Sequence, residues 1–353
     1  MTHPRQTLAL LALALGCGET PGPDTSRVFV ADERAGTLTV LEGASLRVVA
    51  TVDLSEARDG GTVRFLPHNV QVAPDGQTVW ATCASEPYYT RGYMGVDDEA
   101  VVIVDARSMT MRGRIPLRGL LAHVVFDGPG RFAYVTASNA DEVVELSTAT
   151  LTETRRLRLP PRGAPHGARW CAGRLFVALP GGRAIAWVEL STGAVDSVRV
   201  DGVPIQVACR SDGALAYSAL QDTREVVSLD VASRAVRRLQ LPDTARGPAQ
   251  VYLSADGGRL WVADQGLLTS SLQVGNRAFA VDTAAWRVVG DGPTGLGAHG
   301  VVLSRDGARV YVTSITEHTV TLLDGRSRQA LGVAPVGRGP NGISLLDTTG
   351  PMP

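Results

Sequence analysis

The sequence predicts an all-β chain folded as a seven-bladed β-propeller with four antiparallel strands per blade. Three observations carry this reading. First, one phrase recurs seven times, with an aromatic residue at Phe29, Trp80, Tyr134, Phe176, Tyr217, Trp261 and Tyr311. The intervals between these positions run from 41 to 54 residues, a period typical of solenoids and propellers. Second, each interval holds four short apolar runs with alternation, bounded by Gly, Pro, Asp or Asn, and no sustained helical period. Third, the two ends complement each other. The first repeat lacks a first strand, and the C-terminus supplies a spare one.

The elements follow in order. "MTHPRQTLALLALALGC" carries one Arg and an apolar run from Leu8 to Leu15. The run is far shorter than the roughly 20 residues that span a bilayer, and it suits a secretory signal over 1–16. Residues 17–26 read as a flexible tether. The propeller is expected over 27–346, with a tail over 347–353. It opens on "RVFVADERAGTLTVLE", the second and third strands of blade one. "FAYVTASNADEVVELS", "RLFVALPGGRAIAWVEL", "LAYSALQDTREVVSLD" and "RLWVADQG" begin the same pair in later blades. The seventh unit is the clearest. "HGVVLS", "RVYVTS", "HTVTLLD" and "QALGVAPV" are its four strands, and Asp306-Gly307 turns the first into the second. The same Asp-Gly turn recurs at Asp75, Asp212 and Asp256. "GPNGISLL" is then a lone first strand, and pairing it with blade one closes the ring and removes both open edges.

Composition narrows the partners. The 353 residues are 44% hydrophobic and 20% charged, with a net charge of −1. No field gathers nucleic acid or an acidic membrane surface. The 34 basic residues are all Arg, scattered along the chain. Beyond Cys17, the cysteines are Cys83, Cys171 and Cys209. An odd count leaves at least one thiol over. Cys171 and Cys209 fall near the ends of first strands in adjacent blades, where a disulfide and a pair of buried thiols are both open.

The second strands "AYVTAS", "VYVTS" and "LWVAD", with "PHGA" and "SRDGARVYV", resemble the YVTN-repeat seven-bladed propellers over about residues 27 to 346. That resemblance implies an extracytoplasmic bacterial or archaeal protein. It covers surface-layer proteins, DNA- or metal-associated periplasmic proteins, subunits of redox enzymes and many of unknown role, and related propellers include lactonases and an antibiotic lyase. "LALGC" is similar to the lipobox of bacterial lipoproteins, although Ala14 stands where Leu is usual. It implies lipidation at Cys17, with the domain on the outer membrane or cell surface, or in the periplasm. The membrane contact is then the anchor alone, and the domain is expected to be a monomer.

Five histidines follow the signal, and all are expected in loops of one face: His68, His123, His166, His299 and His318. His68, His166 and His299 hold the same position at the mouth of first strands, and His123 is one residue off. The other blades place Ile205, Ala249 and Asn341 there, with Gln206 and Gln250 next door. Neutral imidazoles converging on one point are what a transition metal needs, and copper reductases build a cluster from such histidines on a seven-bladed propeller. Equally, Pro-His-Gly is part of the repeat, where the ring can bond neighbouring backbone. Blade two adds a long loop with Tyr88, Tyr89, Arg91 and Tyr93, residue types that suit ligand or protein contact. Gln206, Gln250 and Asn341 join them as candidate ligand contacts.

"GLGAHG" at 295–300 matches a dinucleotide fingerprint but follows no parallel strand and opens no helix. Asp32, Glu33, Asp141, Asp222, Asp264 and Glu317 recur with the repeat and read first as turn caps. Three functions stay open, and no catalytic residue is assigned. The first is a non-enzymatic envelope module presenting its face to a protein or small-molecule ligand. The second is a metal-binding or redox-accessory protein with a transition metal on the histidines. The third is a lyase or lactonase acting from the same face.

Overall fold

The computed structural model describes residues 25–85, 98–266 and 273–347. The signal segment, Cys17, and the blade-two loop with Tyr88, Tyr89, Arg91 and Tyr93 lie outside these residues. Seven sheets form the expected ring. The unit read from Ala298 is built as Ala298–Leu303, Arg309–Ser314, Thr319–Asp324 and Ala330–Pro335, within a residue or so of the sequence reading. The spare strand, Pro340–Leu346, pairs antiparallel with Arg27–Asp32, from Arg27↔Leu346 to Asp32↔Pro340. Blade one is therefore assembled from both ends of the domain.

Blade two departs from four strands. Its sheet has five, because Ser55–Arg58 pairs with the start of a twelve-residue inner strand, Gly61–Val72. This small hairpin turns at Gly60 and Gly61, both with positive φ. It was not legible because its polar sequence carries no apolar alternation.

The Asp-Gly turns are as expected. Gly76, Gly213, Gly257 and Gly307 all have φ near +70°, where a side chain would be strained. The Asp before each accepts the N–H of the residue two positions on, as Asp75 does from Gln77 at 2.9 Å and Asp306 from Ala308 at 2.9 Å.

The repeated aromatic has one job in every blade. Each packs into the next blade around the ring. Phe29 meets Val70, Val72 and Val79 of blade two. Trp80 meets Leu121, Val124 and Phe126 of blade three, and the pattern continues to Trp261 against Val301 and Val310. Tyr311 closes the circle against Val28 and Val30 of blade one. All seven are buried. A lone four-stranded sheet would leave both faces wet, and the ring buries them against neighbours.

Candidate metal centre

The inner strands start with an irregularity that matters for the site. In blades one, two, three, five, six and seven the pairing of first and second strands shifts register near the start, as between Pro67 and Asn69. Strand side chains normally alternate between faces. A bulge breaks the alternation and re-aims side chains, so two successive positions can both serve the channel. This is why His123, one position off His68, still reaches the same place.

His68, His123 and His166 converge. One ring nitrogen of each lies within 4.8 Å of the others. They come from blades two, three and four, which are adjacent. His68 and His123 lie inside inner strands, and His166 lies just before Ala168–Cys171. The set is therefore in the channel wall rather than in surface loops.

The tautomers are constrained. His166 Nδ1 lies 3.0 Å from the carbonyl of Ile205. A carbonyl only accepts, so Nδ1 carries the proton and Nε2 of the neutral ring presents a lone pair. His68 Nδ1 lies 2.9 Å from the Glu33 carboxylate. Asn341 donates to the other Glu33 oxygen at 2.8 Å, and its amide nitrogen also lies 3.1 Å from His68 Nδ1. The Glu33 N–H donates to the carbonyl of Gly339 at 3.0 Å, which fixes the turn bearing Glu33 against the closing strand. A carboxylate behind Nδ1 of a histidine is the outer-shell arrangement that orients metal ligands.

The two Nε2 atoms of His68 and His166 face each other at 3.2 Å. Two nitrogens bound to one tetrahedral ion at ~2.0–2.1 Å would lie about 3.3 Å apart. His123 Nε2 is buried and has no hydrogen-bond partner. Two ring nitrogens at this distance need a cation or a proton between them, and a proton would sit on one of the rings. His68 is suited to it: burial lowers its pKa, but the charge and hydrogen bond of Glu33 outweigh this and raise it. The opposite holds next door. Burial, then the charge of His68, pushes His166 down to about 4. Burial and the charges of His166 and His68 hold His123 well below the ordinary imidazole range. Two neutral imidazoles thus face a third that Glu33 orients.

The other expected residues are placed as follows. His299, from blade seven, is outside the trio. Its Nε2 lies 3.0 Å from the Gln250 side-chain nitrogen, and its buried Nδ1 has no partner. His318 sits in a turn with φ +58°, and its Nδ1 lies 2.9 Å from the carbonyl of Ile315 and 3.1 Å from the backbone nitrogen of Gly339. This is a backbone-fixing role in the closing turn, away from the trio. Asn341 serves Glu33, and Gln206 and Gln250 are buried in the channel. Asp141 and Asp264 cap backbone N–H groups, including Ala164 at 2.9 Å and Gly247 at 2.7 Å, while Asp222 takes Val203 N–H at 2.8 Å. Asp32 takes the hydroxyls of Thr37 and Thr39, and burial raises its pKa to about 6. Glu317 is exposed. Cys171 and Cys209 form a disulfide joining blades four and five, and Cys83 is a buried free thiol.

Below the trio, the channel widens into a cavity of about 380 Å³. His123, Gln206 and Gln250 line its inner end. Asp212, Asp256 and Arg305, in turns between first and second strands, mark its opening on the opposite face.

His299 makes a stability prediction. Burial and the charges of His68 and His166 push it down to about 3. Its ordinary value is 6.5, so below that pH the unfolded chain takes a proton that the native state refuses. Stability contributed by the neutral ring is present above 6.5 and is lost as pH falls. Between pH 7 and pH 5 the metal-free protein should lose about 2 kcal/mol through this residue. Urea unfolding of wild type and His299→Gln at both pH values checks it. The variant should lose less on acidification.

No family model matches the chain, and no curated protein matches it. Solved structures do. Hydrazine synthase from Kuenenia stuttgartiensis is 17% identical, with a TM-score of 0.65, covering 80% of this chain and 96% of that one. A functionally unknown protein from Desulfotomaculum acetoxidans is 12% identical, with a TM-score of 0.70, covering 91% and 99%. Virginiamycin B lyase from Staphylococcus aureus is 15% identical, with a TM-score of 0.63, covering 78% and 87%. At these identities the likeness establishes the propeller fold.

Proposed function

We propose that this chain is an exported propeller of the YVTN-repeat kind that binds one transition-metal ion on His68, His123 and His166 and acts as a redox accessory at the cell envelope. One observation carries the metal reading. The Nε2 atoms of His68 and His166 face each other at 3.2 Å while both Nδ1 atoms are engaged elsewhere. Imidazole donors suit zinc, copper, iron or nickel. The Cys171–Cys209 disulfide supports an oxidising compartment, and Cys17 is the proposed lipid anchor. The facing imidazoles favour the metal reading over a purely non-enzymatic binding face.

The test is the metal content of the domain over 24–353, expressed in the periplasm and purified without a His tag. About one equivalent of a transition metal is expected, and an ion-free protein that takes up none on reconstitution overturns the reading. Lyase or lactonase chemistry is the second reading. It is favoured by the carboxylate of Glu33 at 2.9 Å from His68, and virginiamycin B lyase shares the fold. Metal-dependent turnover of a lactone substrate, lost in Glu33→Gln, would move it first.

A further inference from the structure

The seven inner strands build a ring of side chains one step below the histidine level. Each is the residue paired across from the repeated aromatic: Gln71, Val125, Arg169, Ala208, Tyr252, Val302 and Ser344. All seven line the cavity. Six are neutral. Blade four alone places a charge there, Arg169.

The guanidinium of Arg169 has no carboxylate within salt-bridge distance among the described residues, and none of its hydrogen-bond donors has a protein acceptor there. It is half-buried, and its Cζ sits 4.6 Å from the centre of the Tyr252 ring, across the channel on blade six. Stacking on an aromatic face holds a guanidinium in place without using its N–H donors. The other charges lining the cavity are satisfied near its opening. Arg210 pairs with Asp212 at 2.7 Å, Asp256 caps its own turn through Gly258 at 2.9 Å, and Asp347 takes the N–H of Arg305 at 2.9 Å. Arg169 is therefore a fixed cation, deep in a partly apolar cavity, with its donor fork free.

We infer that this cavity is a binding site for a small organic carboxylate whose anionic head pairs with Arg169. The planar fork matches a carboxylate with two parallel hydrogen bonds. Val301, Ile343 and Leu345 offer an apolar wall for the body of the ligand, and the amides of Gln206 and Gln250 offer polar contacts at the inner end. A volume of about 380 Å³ admits a single aromatic or short aliphatic acid. His123 shares the same wall, so a ligand on Arg169 lies against the histidine trio. The inference itself rests on the cation and the cavity and needs no metal.

The experiment uses chelator-treated, metal-free protein and a probe series of benzoate, phenylacetate and indole-3-acetate, each beside its neutral amide. Binding is read by calorimetry. At least one acid should bind at least tenfold tighter than its amide. Arg169→Gln should remove that difference, and Arg169→Lys should retain part of it, with circular dichroism and unfolding midpoint reporting that both variants fold. The preference should be present in the metal-free protein, which separates this site from the metal centre. If no acid binds, if acid and amide bind alike, or if a folded Arg169→Gln keeps the preference, the inference is overturned. A preference that appears only after metal loading and vanishes in His166→Ala also overturns it, because the acid would then be a metal ligand.

Discussion

Deleting residues 340–353 is expected to abolish the folded monomer. The closing strand is buried along most of its length, with Asn341, Ile343, Ser344 and Leu345 all under 9% exposed. Ile343 and Leu345 join Val28, Val30 and Tyr311 in one cluster, and burying each such side chain is worth about 1.5–3 kcal/mol. Removal also strips the partner from Arg27–Asp32 and leaves an open edge in blade one, a template for aggregation. The lost contacts approach the whole stability of an ordinary domain, roughly 5–15 kcal/mol. The truncated chain should therefore appear as aggregate or show no cooperative urea transition. Deleting only 348–353 keeps every residue of the closing strand, Pro340–Leu346, and is the comparison for the longer deletion. A soluble truncated monomer with a wild-type transition would show that the ring does not depend on its two-ended blade.

The second large effect concerns the metal. His166→Ala and His68→Ala should each weaken transition-metal binding by at least 100-fold, measured by competition with a chromophoric chelator. Each change removes a lone pair that faces the other at 3.2 Å. Glu33→Gln keeps all three imidazoles but removes the carboxylate behind His68 Nδ1, and it should cost 10- to 100-fold, the usual scale for an outer-shell partner. Proton competition sharpens the test. His166, held down to about 4, stays neutral through mild acid and does not compete. His68, held up by Glu33, must give up a proton to bind, so affinity should rise with pH through the range where His68 titrates. In Glu33→Gln that dependence should move to lower pH, because the group that holds the proton on His68 is gone. Equal affinity in wild type and His166→Ala would remove the trio from consideration.

The two tests share residues. The Glu33 N–H is held by Gly339, and its carboxylate by Asn341, both at the closing strand. The metal centre is therefore tied to ring closure, and a frayed blade one should release the ion before the domain unfolds.

The sequence by itself determined the propeller, its seven blades, the strand order and the two-ended closure. These depend on local signals: a period of two within strands, Asp-Gly at hairpins, and one aromatic per repeat. Each of those works within a few residues or between neighbouring blades, so a linear reading captures it. It also marked His68 and His166 by their shared place in the repeat. Only the tertiary structure decided what gathers in the channel. A register shift at the start of the inner strands brings His123 to the trio although its position is one residue off. Glu33 and Asn341 stand 308 residues apart and meet only because the ring closes there. His299 shares the motif but faces the ring from blade seven and bonds Gln250 instead. The Cys171–Cys209 link, left open by the sequence, needed the true end of a short inner strand. Arg169 was hidden among 34 arginines; it stands out once seven equivalent positions are set around one axis and six prove neutral. Chain order records neighbours along a strand, whereas a channel collects one residue from each of seven strands, and their convergence is a property of the closed ring.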